Sequence, residues 1–327
     1  MNTRGPSEVM LRVSDADVKR LLSFSKAIAL VREAYAKLAR GEAANPPRVV
    51  LSVPGGASMF FMPAHVNGQR NVIVKVARVN AENPRLSLPT VLLSIYAYDA
   101  DTGVQVAEVE GEWLTAVRTA ASTAVATDLL AKKNVRVLGV FGSGVQARAH
   151  IPALTLVRGF DRVLVCSRDW KRAESFAQEM SREGKAKVET ARTPDQVARE
   201  SDVIVTATTS ETPVFDGKLV KSGSHVNAIG SASPDAREVD TSLVKRSRLV
   251  VDSRAQALET YGDIIIPMRE AVIRGSGILE LGDVLIGKRK MMDGDRDVTL
   301  FKSGGLAVLD AMVTDYVLEM MSTEGDR

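Results

Sequence analysis

A strand that runs straight into a glycine-rich turn and then into a helix leaves a chain few ways to fold, and residues 135–154 have that order. The apolar run VRVLGVF is followed by Gly142-Ser143-Gly144-Val145-Gln146-Ala147, and Ile151 and Leu154 continue at helical spacing. The first glycine permits a tight turn, the second lets backbone approach a pyrophosphate, and the small Ala147 allows the helix to pack closely on the strand. The phosphate then lies at the positive helix end. A bare glycine-rich turn is the other reading of these letters, but the segments C-terminal to it favour a dinucleotide. Strands RVLVCS, KVETA, DVIVTAT, SHVNAIG and RLVVDS alternate with helical segments, among them one from Asp169 to about Arg182 and one near 237–245. Parallel neighbours need such crossovers, so a Rossmann-type doubly wound sheet is expected. Expected cofactor contacts are Gly142, Ser143, Gly144, Val145 and Gln146, with Thr206 and Thr208 at the end of DVIVTAT.

The end of the second strand, roughly twenty residues or slightly more beyond the glycines, is where a ribose is read. It holds Cys166-Ser167-Arg168-Asp169, with Lys171 and Arg172 just beyond. Ser167 and Arg168 suit a 2′-phosphate through charge-assisted hydrogen bonds, so NADP is the preferred cofactor. NAD remains possible, with Asp169 as the ribose ligand.

The flanking segments read differently. Ser14 caps a short helix after a polar tail, and residues 26–40 place Ile28, Val31, Tyr35 and Leu38 on one helical face before Gly41. VVLSV, MFFMPA, NVIVKVARV and VLLSIYAYD then form β-rich runs split by Pro, Gly and Asn, which predicts a mostly antiparallel sheet. GEWLTAVRTAASTAVATDLLAK has the Ala and Leu content of a long buried helix that bridges two domains. The closing VTLFKSGGLAVLDAMVTDYVLEMM reads as a strand, a glycine turn and an amphipathic helix returning to the first domain. The fold class is therefore α/β, a Rossmann-type sheet (residues 121–299) inserted into an α+β substrate and dimerisation domain (1–120 with 300–327).

Composition narrows the partners. A chain of 327 residues with a net charge of +3 has no field to hold a nucleic acid. One cysteine, Cys166, forms no internal disulfide and reads as a buried strand residue. The opening lacks a secretory apolar stretch and no run is long enough for a membrane span, so a cytoplasmic protein is expected. His65, His150 and His225 lie far apart in sequence, and no metal site is expected. Gly282 to Arg289 has Walker A spacing but ends on Arg where a hydroxyl must meet magnesium, and no G-x-S-x-G occurs.

Taken in order along nearly the whole chain, these motifs resemble the ornithine cyclodeaminase and mu-crystallin family. The resemblance rests on Phe61-Met62-Pro63-Ala64, the Asp101-Thr102-Gly103 turn, and Leu114-Thr115-Ala116-Val117-Arg118-Thr119-Ala120-Ala121. It rests also on the glycine loop, Ala228-Ile229-Gly230-Ser231, Arg237-Glu238-Val239-Asp240, and Phe301-Lys302-Ser303-Gly304-Gly305-Leu306-Ala307. It implies a homodimer and a pocket where basic residues hold a substrate carboxylate: Arg48, Lys75 and Arg118, with Met62 beside them. It also places Thr119 and Ser303 near the cofactor. The residue types suit the roles, since Arg forks bind carboxylates bidentately and a lysine inside an apolar strand is costly without a partner.

One departure bears on the reaction. Ornithine-cyclising members carry Gly-Ala-Asp where this chain has Gly230-Ser231-Ala232, and alanine exchanges no proton. Asp235 lies three residues on and is the candidate replacement, so the expected catalytic set is Lys75, Arg118 and Asp235. A ketimine reductase needs only carboxylate anchoring, a proton and a reduced nicotinamide. The expected activity is reduction of small cyclic ketimine carboxylates to cyclic amino acids such as proline or pipecolate. The alternatives are an ornithine cyclodeaminase, an alanine-type amino-acid dehydrogenase and, in another class, a crystallin-like NADPH-dependent binding protein.

Overall fold

The computed structural model describes residues 10–54, 56–80, 82–184, 186–290 and 298–325, so the opening segment 1–9 lies outside it. The chain divides into two compact units, the first running to Arg118 and resuming at Leu306, the second spanning Thr119–Gly305.

Unit 1 begins with β1 (Leu11–Val13), α1 (Asp15–Leu21) and α2 (Phe24–Arg40). Ser14 and Asp17 form a reciprocal capping box on α1, and Gly41 ends α2 in the left-handed conformation. The buried stripe of α2 is Ala27, Val31, Ala34 and Tyr35. Ile28 and Leu38 lie at its margin, because small alanines rather than large aliphatics sit where the helix is most closely covered. Strands β2 (Ala43–Ala44), β3 (Val49–Val53), β4 (Ala57–Val66), β5 (Asn71–Val79), β6 (Val91–Asp99) and β7 (Gln105–Glu110) come next. They pair in the order β1-β7-β6-β5-β4-β2, with β3 also on β4. Only β1–β7 is parallel, so the antiparallel expectation holds for the rest. Alternation puts Asn71, Ile73 and Lys75 of β5 on the buried face, and the register sets Lys75 between Met62 and Ile95. Helix α3 (Glu112–Leu130) is buried all round from Leu114 to Thr127, and the boundary between the units falls inside it.

Unit 2 contains β8 (Val137–Phe141), α4 (Val145–Thr155), β9 (Arg162–Cys166), α5 (Trp170–Glu183), β10 (Lys187–Thr190), α6 (Pro194–Glu200), β11 (Val203–Thr206) and β12 (His225–Ala228). It continues with α7 (Thr241–Arg246), β13 (Ser247–Val251), α8 (Arg254–Thr260), α9 (Gly262–Arg269), β14 (Leu279–Glu280), α10 (Leu281–Leu285) and β15 (Val298–Lys302). Its strands are all parallel in the order β10-β9-β8-β11-β12-β15-β13-β14. Sequence order therefore reverses between β8 and β11, and ligands of open α/β sheets bind outside the strand ends at such a switch point. Helix α7 starts later than expected because Asp240 caps it, accepting from the Leu243 N–H.

Two expectations about the C-terminal segment need correction. Strand β15 lies between β12 and β13 with every residue buried, so residues 300–305 belong with the parallel sheet, not with the first domain. A strand buried on both faces needs cover on both, which a parallel sheet between helices provides. The final helix, α11 (Ala307–Gly325), does return to unit 1, where it packs on α2, β4 and β5. It is not amphipathic over its first half, since Ala307 to Thr314 are buried all round. No helix among the described residues is long and apolar enough to cross a membrane.

The parallel sheet has a sharp packing constraint at Gly139 of β8, where a Cβ would sit 2.4 Å from Ser201 Oγ and 2.5 Å from Val197 Cγ1. Gly139→Ala is expected to lower unfolding free energy in urea by roughly 1–3 kcal/mol, the usual cost of overpacking.

Candidate active site

The buried face of the unit 1 sheet carries a charge. Lys75 is 2% exposed and Asp310, one turn into α11, is fully buried. One oxygen of Asp310, Oδ1, accepts from Lys75 Nζ at 2.8 Å and from Arg118 Nε at 3.1 Å. Lys75 Nζ also donates to Thr115 Oγ1 at 2.7 Å. Thr115 and Arg118 are three apart on α3 and so share a face. Met62 stands opposite Lys75 on β4. Arg48, half-buried just before β3, is near enough for its charge to act on Lys75.

Lys75 and Arg118 thus have one carboxylate between them, which leaves a buried surplus of positive charge. Burial pushes the Lys75 pKa down to about 8, the Arg118 charge adds to the fall, Asp310 opposes it, and Arg48 contributes a further lowering. A site of this kind is suited to an anion, and a carboxylate matches both an Arg fork and an ammonium. The structure therefore brings together Arg48, Met62, Lys75 and Arg118. Asp310, which sequence reasoning missed, carried the same signal as Lys75: a lone charge inside an apolar run, here LAVLDAMV.

In unit 2 the glycine loop lies at the carboxyl end of β8. Gly142 has φ +113°, and a Cβ there would meet the Ala207 carbonyl oxygen at 2.5 Å. Gly144 caps α4 without a side-chain hydrogen bond, and nothing lies within 4 Å of where its Cβ would be. The first-turn N–H groups of Val145, Gln146 and Ala147 and the helix dipole are thus presented to an anion. Gln146 Oε1 is buried without a partner in that turn. These features fit a dinucleotide pyrophosphate. Ser143 Oγ donates to Ser167 Oγ at 3.3 Å, linking the loops after β8 and β9. Arg168 is exposed and reaches Thr209 Oγ1 at 3.4 Å, whereas Asp169 is occupied as the cap of α5, accepting from the Arg172 N–H.

A polar network organises the loops beyond β11, β12, β13 and β15. Glu238, fully buried, accepts from Thr206 Oγ1, the Thr208 N–H and hydroxyl, and the Gly230 N–H at 2.6–2.8 Å. Asp263 accepts the Glu238 and Val239 N–H groups and pairs with Lys302 Nζ at 2.8 Å. Lys302 donates to the Ser231 carbonyl at 2.5 Å. Asp252 accepts from the Tyr261 and Ser303 hydroxyls and from the Gly304 and Gly305 N–H groups.

Several of the expected site residues have partners within this network or at the surface. The hydroxyls of Thr206 and Thr208 donate to Glu238 and that of Ser303 donates to Asp252, so each donor already has a carboxylate partner. Asp235, the candidate replacement acid, is 81% exposed on its side chain and pairs with Arg269, so the loop does not bring that carboxylate inward. Thr119, the first residue of unit 2, is buried in α3. His150 and His225 are neutral at pH 7, because burial holds each near a pKa of about 4. Cys166 is half-buried at the end of β9, and burial raises its thiol pKa.

The chain matches the model of the ornithine cyclodeaminase/mu-crystallin family over residues 7–325. It is 32% identical over 319 residues to a Delta(1)-pyrroline-2-carboxylate reductase of Bacillus cereus, covering 97% of this chain and 98% of that one. The fold superposes with TM-score 0.93 on the Delta(1)-pyrroline-2-carboxylate reductase of Thermococcus litoralis, solved with NADH and L-proline, at 37% identity and covering 97% and 98% of the two chains. An archaeal alanine dehydrogenase dimer with bound NAD gives TM-score 0.91 at 30% identity, covering 97% of each chain.

Lys75 also leaves a mark on stability. Its folded pKa of about 8 lies below the ordinary 10.5, so between those values the unfolded chain binds more protons and stability rises with pH. Relative to Lys75→Met, the wild type is expected to gain about 3 kcal/mol of unfolding free energy across that window, and nothing below it. Paired denaturation curves at pH 7, 8, 9 and 10 check this.

Proposed function

We propose that this chain, which belongs to the ornithine cyclodeaminase/mu-crystallin family, reduces small cyclic ketimine carboxylates such as Δ1-pyrroline-2-carboxylate and Δ1-piperideine-2-carboxylate. The observation that carries the reading is the buried surplus of positive charge at Lys75 and Arg118, sharing Asp310. The substrate's carboxylate supplies the missing negative charge, with Arg118 and Arg48 as its anchors. When bound, a reduced nicotinamide supplies the hydride for the imine carbon. Lys75 gives the ring nitrogen a proton or a hydrogen bond, and a pKa of about 8 keeps it protonated at neutral pH yet able to release the proton. The small residue at Ala232 fits this reaction, since imine reduction releases no ammonia and needs no carboxylate to receive a substrate amine. Asp235 has no part in it. The similar reductases of Bacillus cereus and Thermococcus litoralis support the same substrate class.

For the cofactor we favour NADPH. Arg168 with Ser167 is left to meet a 2′-phosphate, while the Asp169 carboxylate is committed to capping α5. The dinucleotide's pyrophosphate goes to the turn at Gly142 and Gly144 and the first turn of α4. A homodimer in the cytoplasm completes the reading: Val49, Val50, Leu51 and Val53 of β3 are exposed apolar side chains that a second copy would cover.

Loss of NADPH absorbance with Δ1-pyrroline-2-carboxylate tests the activity directly, run beside ornithine with NAD. Ammonia from ornithine without imine turnover would replace this reading by cyclodeamination. Arg118→Ala is expected to lower kcat/KM for the imine by the equivalent of roughly 2 to 5 kcal/mol. Wild-type kinetics in that variant would remove Arg118 from the site. Arg168→Ala is expected to reduce the preference for NADPH over NADH on the order of tenfold, read as the ratio of the two kcat/KM values.

A further inference from the structure

Asp310 has no role in the proposed reaction, yet both cations of the anion site depend on it. Its Oδ1 is the shared acceptor for Lys75 Nζ and Arg118 Nε, and its Oδ2 is buried without a hydrogen-bond partner. A carboxylate that leaves one oxygen unsatisfied in order to bridge two cations through the other is held by the cations' geometry. Asp310 takes the Nε of Arg118, so the hydrogen bond that fixes the guanidinium does not use its terminal nitrogens. Thr115 fixes Lys75 from the other side.

We propose that Asp310 is the positioning residue of the carboxylate site, holding Lys75 charged and Arg118 oriented so that the two like charges can share one buried anion-binding point. The proposal rests on the reading of Lys75 and Arg118 as carboxylate anchors. The groups acting on Lys75 come from every side: Asp310 on α11, Arg118 and Thr115 on α3, and Arg48 before β3. Its in-register neighbours on β4 and β6, Met62 and Ile95, are uncharged. Asp310 is thus the carboxylate that opposes burial, Arg118 and Arg48 together. Without it the ammonium gives up its proton at lower pH, and the site stops holding an anion where the wild type still does.

The test is calorimetric binding of pyrrole-2-carboxylate, a planar analogue with no imine to reduce, to the full-length protein with NADP present, from pH 6 to pH 9. Wild-type affinity is expected to fall as pH rises through about 8. In Asp310→Asn, which keeps size and the Oδ1 acceptor, the fall is expected at least one pH unit lower, with a deficit of tenfold or more at pH 7.5 largely recovered at pH 6. A loss by the same factor at every pH, or a fall at the wild-type pH, overturns the proposal. Asp310→Glu carries the test alone if the Asn variant does not fold: the retained charge must keep the fall near the wild-type pH, and a displaced fall overturns the proposal. Because the analogue is not reduced, the outcomes separate. A wild type that binds it with this pH pattern but turns over no imine sinks the proposed function and leaves Asp310 in place. An unmoved profile in Asp310→Asn beside active wild type sinks only the Asp310 proposal. A wild type that does not bind it at any pH overturns the carboxylate site itself.

Discussion

Two cations and one carboxylate buried together set the terms for unit 1. Removing an ammonium from water is expensive, and a single ion pair in a protein interior often fails to recover the desolvation. Lys75 and Arg118 are accommodated because Asp310 gives both a charge-assisted hydrogen bond and Thr115 gives Lys75 another. These four residues come from three elements, so the arrangement exists only when β5, α3 and α11 are all in place. The pairing is thus a check on the whole unit: the last helix of the chain must return across the sheet to supply Asp310. The charge left over after that pairing is what distinguishes the cluster from a balanced structural ion pair.

Unit 2 meets a related difficulty with the opposite sign. Its strands end in loops rich in N–H groups that no ladder satisfies, and Glu238, Asp252 and Asp263 collect those donors as buried carboxylates. Carboxylates accept several hydrogen bonds at once, so three of them hold the ends of four strands with few side chains. The consequence is a rigid frame at the carboxyl edge, with Gly142 and Gly144 left open at the switch point for a phosphate. Thr206, Thr208 and Ser303 tie into that frame by donating their hydroxyl protons to it.

How much the sequence made legible depends on which forces are local. Strand, glycine turn and helix at 135–154 are fixed by backbone sterics and period, and the structure places β8, the turn and α4 there. Lys75 was readable because a charge inside an apolar strand has few explanations. Asp310 and Lys302 carried the same signal, but their partners lie far away in sequence, and one chain does not show that 75 meets 310 or that 302 meets 263. Asp235 misled for the converse reason. Proximity to Ala232 in sequence suggested a replacement acid, whereas the loop turns that carboxylate toward Arg269 and solvent. The apolar β15 was assigned by its neighbour in sequence, and sheet pairing moved it to the other unit.

The charge balance also bears on which reaction the site suits. A deamination passes through an amine that must become a leaving ammonium, and a carboxylate beside it stabilises that change. Ala232 offers none, and Asp310 is committed to Lys75 and Arg118. Reduction of a cyclic imine carries no leaving group. It requires that the substrate's negative charge be anchored and that a proton be available where the nitrogen becomes more basic. A lysine whose pKa burial lowers to about 8, set beside an arginine, has the chemistry for both needs, a guanidinium suited to anchoring an anion and an ammonium suited to lending a proton. The same coupling would set a limit on a reductase built this way: a carboxylate bound beside Lys75 would hold its proton more firmly, exchanging some acidity for grip.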